Sequence, residues 1–176
     1  DVTQINPVIA EARNRMLLAA TKQGASGAPS GFHSLDKITS GWQRSDLIII
    51  AARPAMGKTA FILSMAKNMA VDYNSPVAVF SLEMSNVQLV NRLIMIVCQL
   101  EGEKIKHGQL DKYEWEKFDK DINLLLDAPI YVDDTPSLSI FELRSKARRL
   151  VKEHKIQCII IDYLQLMNAS GMSYGS

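Results

Sequence analysis

The chain has 176 residues, 47% of them hydrophobic and 22% charged, with a formal net charge of +1. That length suits a single domain with a sizeable core, and no apolar run is long enough for a membrane-spanning helix. The near-neutral balance carries no bulk signature of nucleic acid, and three scattered histidines (His33, His107, His154) lack metal-ligand spacing. Cys98 and Cys158 each sit inside an apolar run and are expected to be buried thiols in a reducing, cytoplasmic setting. The N-terminus has neither a basic region nor a signal-type stretch, and without an initiator Met it reads as part of something longer.

Residues 5–22 predict a helix, with Val8, Ala12, Arg15 and Ala19 along one side and Ile9, Met16 and Leu17 on a more apolar one. The helix is too short to bury that face against itself; docking on another surface and packing on its own domain are both open. A run of small residues and breakers, 24–31, then reads as a linker. The β-branched run 47–51 predicts a strand, followed by a helix over 59–71 and a second strand over 76–82. Ser85 and Gln88 form a capping box that opens the next helix. A further helix starts near Asp111 and aligns Trp115, Phe118, Ile122 and Leu125 in one stripe.

A short strand over 130–133 precedes a second capping box, Ser139 with Glu142. The helix it opens is expected to bury Ile140, Leu143, Ala147, Leu150 and Val151. The last strand, 156–162, is almost purely apolar. Strands buried on both faces and separated by helices predict an α/β fold with a mainly parallel sheet and helices on both faces.

The strongest chemical signal is Ala52-Arg53-Pro54-Ala55-Met56-Gly57-Lys58-Thr59, a phosphate-binding loop whose first glycine is replaced by Ala52. Backbone N–H groups and the following helix N-terminus make an anion cradle there. Lys58 reaches the β- and γ-phosphates as a point charge, and the Thr59 hydroxyl is placed for Mg²⁺. Ala52 is expected to keep an ordinary φ. Asp162 ends an apolar strand, where open α/β sheets bind ligands, and suits a magnesium-holding carboxylate. Glu83 ends the preceding strand on the same edge. It can orient or deprotonate a water, or it can simply complement a helix dipole. The basic residues Arg144, Lys146, Arg148, Arg149 and Lys152 share one helix, whose default is a solvated face rather than a DNA contact.

Residues 45–59, 80–84 (Phe-Ser-Leu-Glu-Met), 161–167 (Ile-Asp-Tyr-Leu-Gln-Leu-Met) and the run 133–150 closely resemble the DnaB replicative helicase family. The resemblance implies a RecA-like P-loop fold, with ATP held by residues 52–59 and Mg²⁺ by Thr59 and by Asp162, directly or through a water. It also implies Lys58 and Glu83 as catalytic groups, Glu83 as the base. Residues 1–31 are then the family's linker helix with a flexible linker, docking on a neighbouring subunit of a homo-hexamer. Residues 32–176 are the N-terminal part of the ATPase domain.

The family's primase- and loader-binding domain, its single-stranded-DNA loops and its arginine finger fall outside this stretch. So does one strand between the phosphate-loop strand and the strand ending in Asp162. The expected sheet is therefore incomplete toward the C-terminus, where 168–171 reads as a loop, and ATP hydrolysis by this stretch alone is expected to be poor. A RecA-type or circadian-clock-type ATPase shares the fold without the 52–59 string. A non-catalytic nucleotide-binding assembly module is the alternative outside enzymes, and intact Glu83 and Asp162 argue against it.

Overall fold

The structure is a computed structural model that describes residues 4–21 and 26–167, in two compact units, Asp1–Leu47 and Ile48–Ser176. The expected loop at 168–171 lies outside the described residues.

The first unit contains α1 (Ile5–Thr21) and α2 (His33–Thr39). The apolar side chains of α1 are exposed, Ile5, Ile9, Met16 and Leu17 among them. Of the segment read as a linker, 26–31 is bonded into this unit. Ala28 and Trp42 exchange backbone hydrogen bonds across an antiparallel bridge. Ser30 is fully buried and donates from its N–H and its hydroxyl to Asp36 Oδ1, at 2.8 and 2.6 Å. Asp36 lies in the first turn of α2, so this short helix is organised by a carboxylate reaching back to residues before it. Such a start leaves no apolar period to read in the sequence.

In the second unit, α3 (Lys58–Lys67) runs into a π-helical turn (Asn68–Asp72) and then β1 (Val77–Ser81). Three helices follow α4 (Asn86–Cys98): α5 (Gly102–His107), α6 (Lys112–Asp121) and α7 (Asn123–Leu126). After them come β2 (Ile130–Asp133), α8 (Ile140–His154), β3 (Cys158–Asp162) and a 3-10 turn (Leu164–Leu166). The three strands pair in parallel in the order β2-β1-β3. β1 is central and buried along its whole length.

Alternation sends Ala78 and Phe80 to one face, where they pack with Leu138, Leu143 and Ile156. Phe118, Ile122 and Leu125 of the predicted stripe close on Ile94, Cys98 and Leu100 from α4 and its exit. Burial pushes the Cys158 thiol up to about 11. It also raises that of Cys98, with a further push from Asp121.

Two expectations need correction. Residues 47–51 form no strand, and Leu47 and Ile49 are 88% and 79% exposed. β-branched residues favour extended backbone, but a strand exists only when a neighbour takes its hydrogen bonds. No described strand does so: the sheet of the described residues has three strands, with β2 and β3 at its edges. On α8, Leu143 is buried and Leu150 half-buried, whereas Ile140 and Val151 are exposed. A helix against a three-stranded sheet has one contact stripe, and those two residues fall beside it.

Candidate nucleotide site

The carboxyl ends of β1 and β3 lie side by side, Ser81 opposite Asp162, and the Leu82 N–H donates to the Asp162 carbonyl at 2.8 Å. Against this edge α3 begins. Its N-cap is Gly57, left-handed at φ 87, and no side chain caps the first turn. The first N–H groups of a helix have no carbonyl within the helix to serve, and with a glycine as N-cap they are available to an anion. A Cβ on Gly57 would meet nothing within 4 Å, so the glycine is required by its backbone conformation, with open space beside it.

Ala52 keeps an ordinary φ, as expected; the left-handed non-glycine residue of the loop is Ala55, at φ 61. The exposed loop turns through a Met56 N–H to Arg53 carbonyl bond of 3.2 Å.

Three of the predicted residues meet directly. Thr59 Oγ1 donates to Asp162 Oδ2 at 3.0 Å, and Lys58 Nζ lies 3.0 Å from Asp162 Oδ1. Asp162 is only 1% exposed, yet Oδ1 accepts no hydrogen bond; the Lys58 contact has the distance of an ion pair without the angles of a hydrogen bond. A buried acidic oxygen with no donor, beside a threonine hydroxyl and an anion-seeking helix start, fits a hydrated divalent cation accompanying a polyphosphate. Among the described residues no three His, Cys, Asp or Glu side chains are grouped to hold a metal by themselves. The remaining oxygens of such a cation would be those of phosphate and water.

Glu83 is exposed in the loop between β1 and α4, leaving the same edge. That loop is pinned on both sides. The Met84 N–H donates to the buried Ser81 hydroxyl at 2.9 Å, and the Asn86 N–H donates to Asp134 Oδ2 at 2.8 Å. Ser81, Asp134 and Tyr163 belong to this neighbourhood and were not singled out from the sequence. Asp134 comes to this edge through the register: β2 pairs in parallel with β1, and Asp134 follows its last residue, Asp133. In the basic cluster, Lys146 is bound to Asp133 at 2.6 Å and to Thr135 at 2.7 Å, a structural role. Arg144, Arg148, Arg149 and Lys152 are exposed.

A parallel sheet, a phosphate loop opening a helix, and an acidic strand end behind its lysine and threonine define a RecA-like domain of the phosphate-loop class. Residues 27–175 match the model of the DnaB-like helicase C-terminal domain, and the chain belongs to that family. It is 50% identical over 147 residues to the replicative DNA helicase DnaB of Nostoc sp., covering 82% of this chain and 17% of that protein. It is 48% identical over 148 residues to DnaB of Geobacillus stearothermophilus, covering 84% of this chain and 33% of that protein.

Among solved structures, one described as an ATPase domain superposes with a TM-score of 0.87 at 31% identity, over 100% of this chain and 62% of that one. A DnaB-like replicative helicase, described with its interactions with primase, gives 0.82 at 31% identity, over 98% of this chain and 42% of that one. The chain thus spans a third or less of the length of these two curated relatives.

Proposed function

We infer that this chain is the ATP-binding part of a replicative helicase motor, in which ATP hydrolysis drives movement along single-stranded DNA and separation of the duplex. The observation that carries the reading is the meeting of Lys58 and Thr59 with Asp162, 103 residues beyond Thr59, at the carboxyl edge of a parallel sheet. Residues 52–59 would bind the phosphates of ATP, the loop through its backbone N–H groups and Lys58 by its charge. Thr59 and Asp162 would hold Mg²⁺, which when bound neutralises charge that develops on the transferring phosphoryl group.

Glu83 leaves the same edge in a pinned loop and suits the general base, accepting a proton from the attacking water. Residues 1–31 are assigned to the linker region and 32–176 to the ATPase domain. The exposed apolar residues of α1 then suit docking on a neighbouring subunit of a cytoplasmic homo-hexamer, with primase and a loader engaged elsewhere in the full protein. Titration of the chain with MgATP tests the reading. Binding should be measurable, and Lys58→Ala should abolish it by leaving the phosphates to backbone dipoles alone. Unchanged affinity in that variant would remove the phosphate-binding role of the loop.

A further inference from the structure

Tyr163 directly follows Asp162, and none of the roles above uses it. Its half-buried ring lies with the Lys58 ammonium 4.2 Å from the ring centroid, inside the range where the negative face of an aromatic ring attracts a cation. The same ammonium stands 3.0 Å from Asp162 Oδ1 without hydrogen-bond angles. Lys58 is therefore held from two sides by attractions that depend on distance more than on direction, a carboxylate charge and a ring quadrupole. An ammonium held this way is partly screened from solvent, yet it can leave without breaking a directional bond.

The geometry points to Tyr163 as a positioning residue that, in the nucleotide-free chain, parks the Lys58 ammonium against Asp162. The consequence for nucleotide binding rests on the reading of Lys58 as the phosphate-binding lysine. To serve phosphate oxygens Lys58 has to leave both the ring and the carboxylate, and the same departure frees Asp162 Oδ1 for a cation. Tyr163 thus sets how readily the site changes from its resting arrangement to its binding one. Removing the ring weakens the resting arrangement and favours nucleotide.

The test compares the 176-residue chain with Tyr163→Phe, Tyr163→Leu, and forms carrying phenylalanines of rising fluorine content at position 163. The fluorinated rings keep their shape while losing the negative face. Without nucleotide, trace acylation of the Lys58 amine is read by peptide mass spectrometry. The rate should rise roughly threefold to tenfold in Tyr163→Leu, stay unchanged in Tyr163→Phe, and climb with fluorine content.

In titrations with a fluorescent ATP analogue and Mg²⁺, Tyr163→Leu should bind tighter by a similar factor and Tyr163→Phe as the parent does. Acylation rates that ignore fluorine content overturn the proposal, and so does weaker nucleotide binding in Tyr163→Leu. If Lys58→Ala retains full affinity, the nucleotide reading fails, while the acylation series still decides whether the ring holds the lysine. Should circular dichroism show Tyr163→Leu unfolded, the fluorinated series decides alone.

Discussion

Glu83 and Asp162 share one edge of the sheet but meet opposite surroundings. Asp162 is buried, charge-paired and within reach of two loop residues, so it is placed to bind. Glu83 is exposed on a loop whose two flanks are fixed, so it is placed to act on something that arrives from solvent. On the proposed helicase reading, Glu83→Gln should leave nucleotide affinity in place while slowing ATP turnover of the assembled protein by about 10²-fold or more. Steady-state ATPase measurement checks it; normal turnover would return Glu83 to a helix-dipole role.

At this scale Lys58, Thr59 and Asp162 were legible, because a phosphate loop and an acidic strand end are local patterns. Ser81, Asp134 and Tyr163 were not. Their roles come from the parallel register and from a cation approaching a ring, and neither leaves a periodic trace in sequence. Ala55 was illegible for another reason: alanine gives no hint that it is the residue taking the left-handed turn.

Between elements, β2 and α8 are joined by one partly buried ion pair. Burial alone would raise the Asp133 carboxyl, but hydrogen bonds from Lys146 and Thr135 outweigh it and hold the group below its ordinary 3.8. Because the folded value is depressed, the stabilisation is present above about pH 4 and is lost as pH falls through the folded value. Asp133→Asn should cost about 1 to 3 kcal/mol at neutral pH, and the deficit should shrink as pH falls below the ordinary carboxyl value. Urea unfolding across that range measures it; a deficit independent of pH would mean the charge contributes nothing.

The start of α8 gives a second prediction. Ser139 accepts from the Glu142 N–H while Glu142 Oε2 accepts from the Ser139 N–H at 2.8 Å. Ser139→Ala should lower stability by about 1 kcal/mol, seen as a reduced thermal midpoint. Both capping boxes read from the sequence formed, since a cap is decided within four residues. The buried face of α8 was only partly legible, because its width depends on how many strands lie beneath it.

Hydrogen bonding across the second unit is uneven. β1 is buried throughout and paired on both sides. β3 is paired on one side, with Ile159 partly exposed. Residues 48–50, in the same unit, form no strand and have no partner strand among the described residues. Here the sequence was legible in propensity and misleading in outcome: a run that would suit the middle of a parallel sheet is a strand only beside another strand.

Amide exchange should follow this order. Val79 and Phe80 should exchange only on global unfolding, at least about 10³-fold more slowly than 48–50, with Ile160 and Ile161 between them. An open sheet edge and exposed β-branched residues are both adhesive. Sedimentation should show concentration-dependent self-association that Ile49→Lys reduces, since a lysine on an unpaired segment opposes edge-to-edge pairing. Protection at 48–50 equal to that of β1 in a dilute, monomeric sample would mean that this segment has found a partner within its own chain, and the open edge would have to be abandoned. Protection that rises with protein concentration and falls in Ile49→Lys would instead place that partner in a second copy.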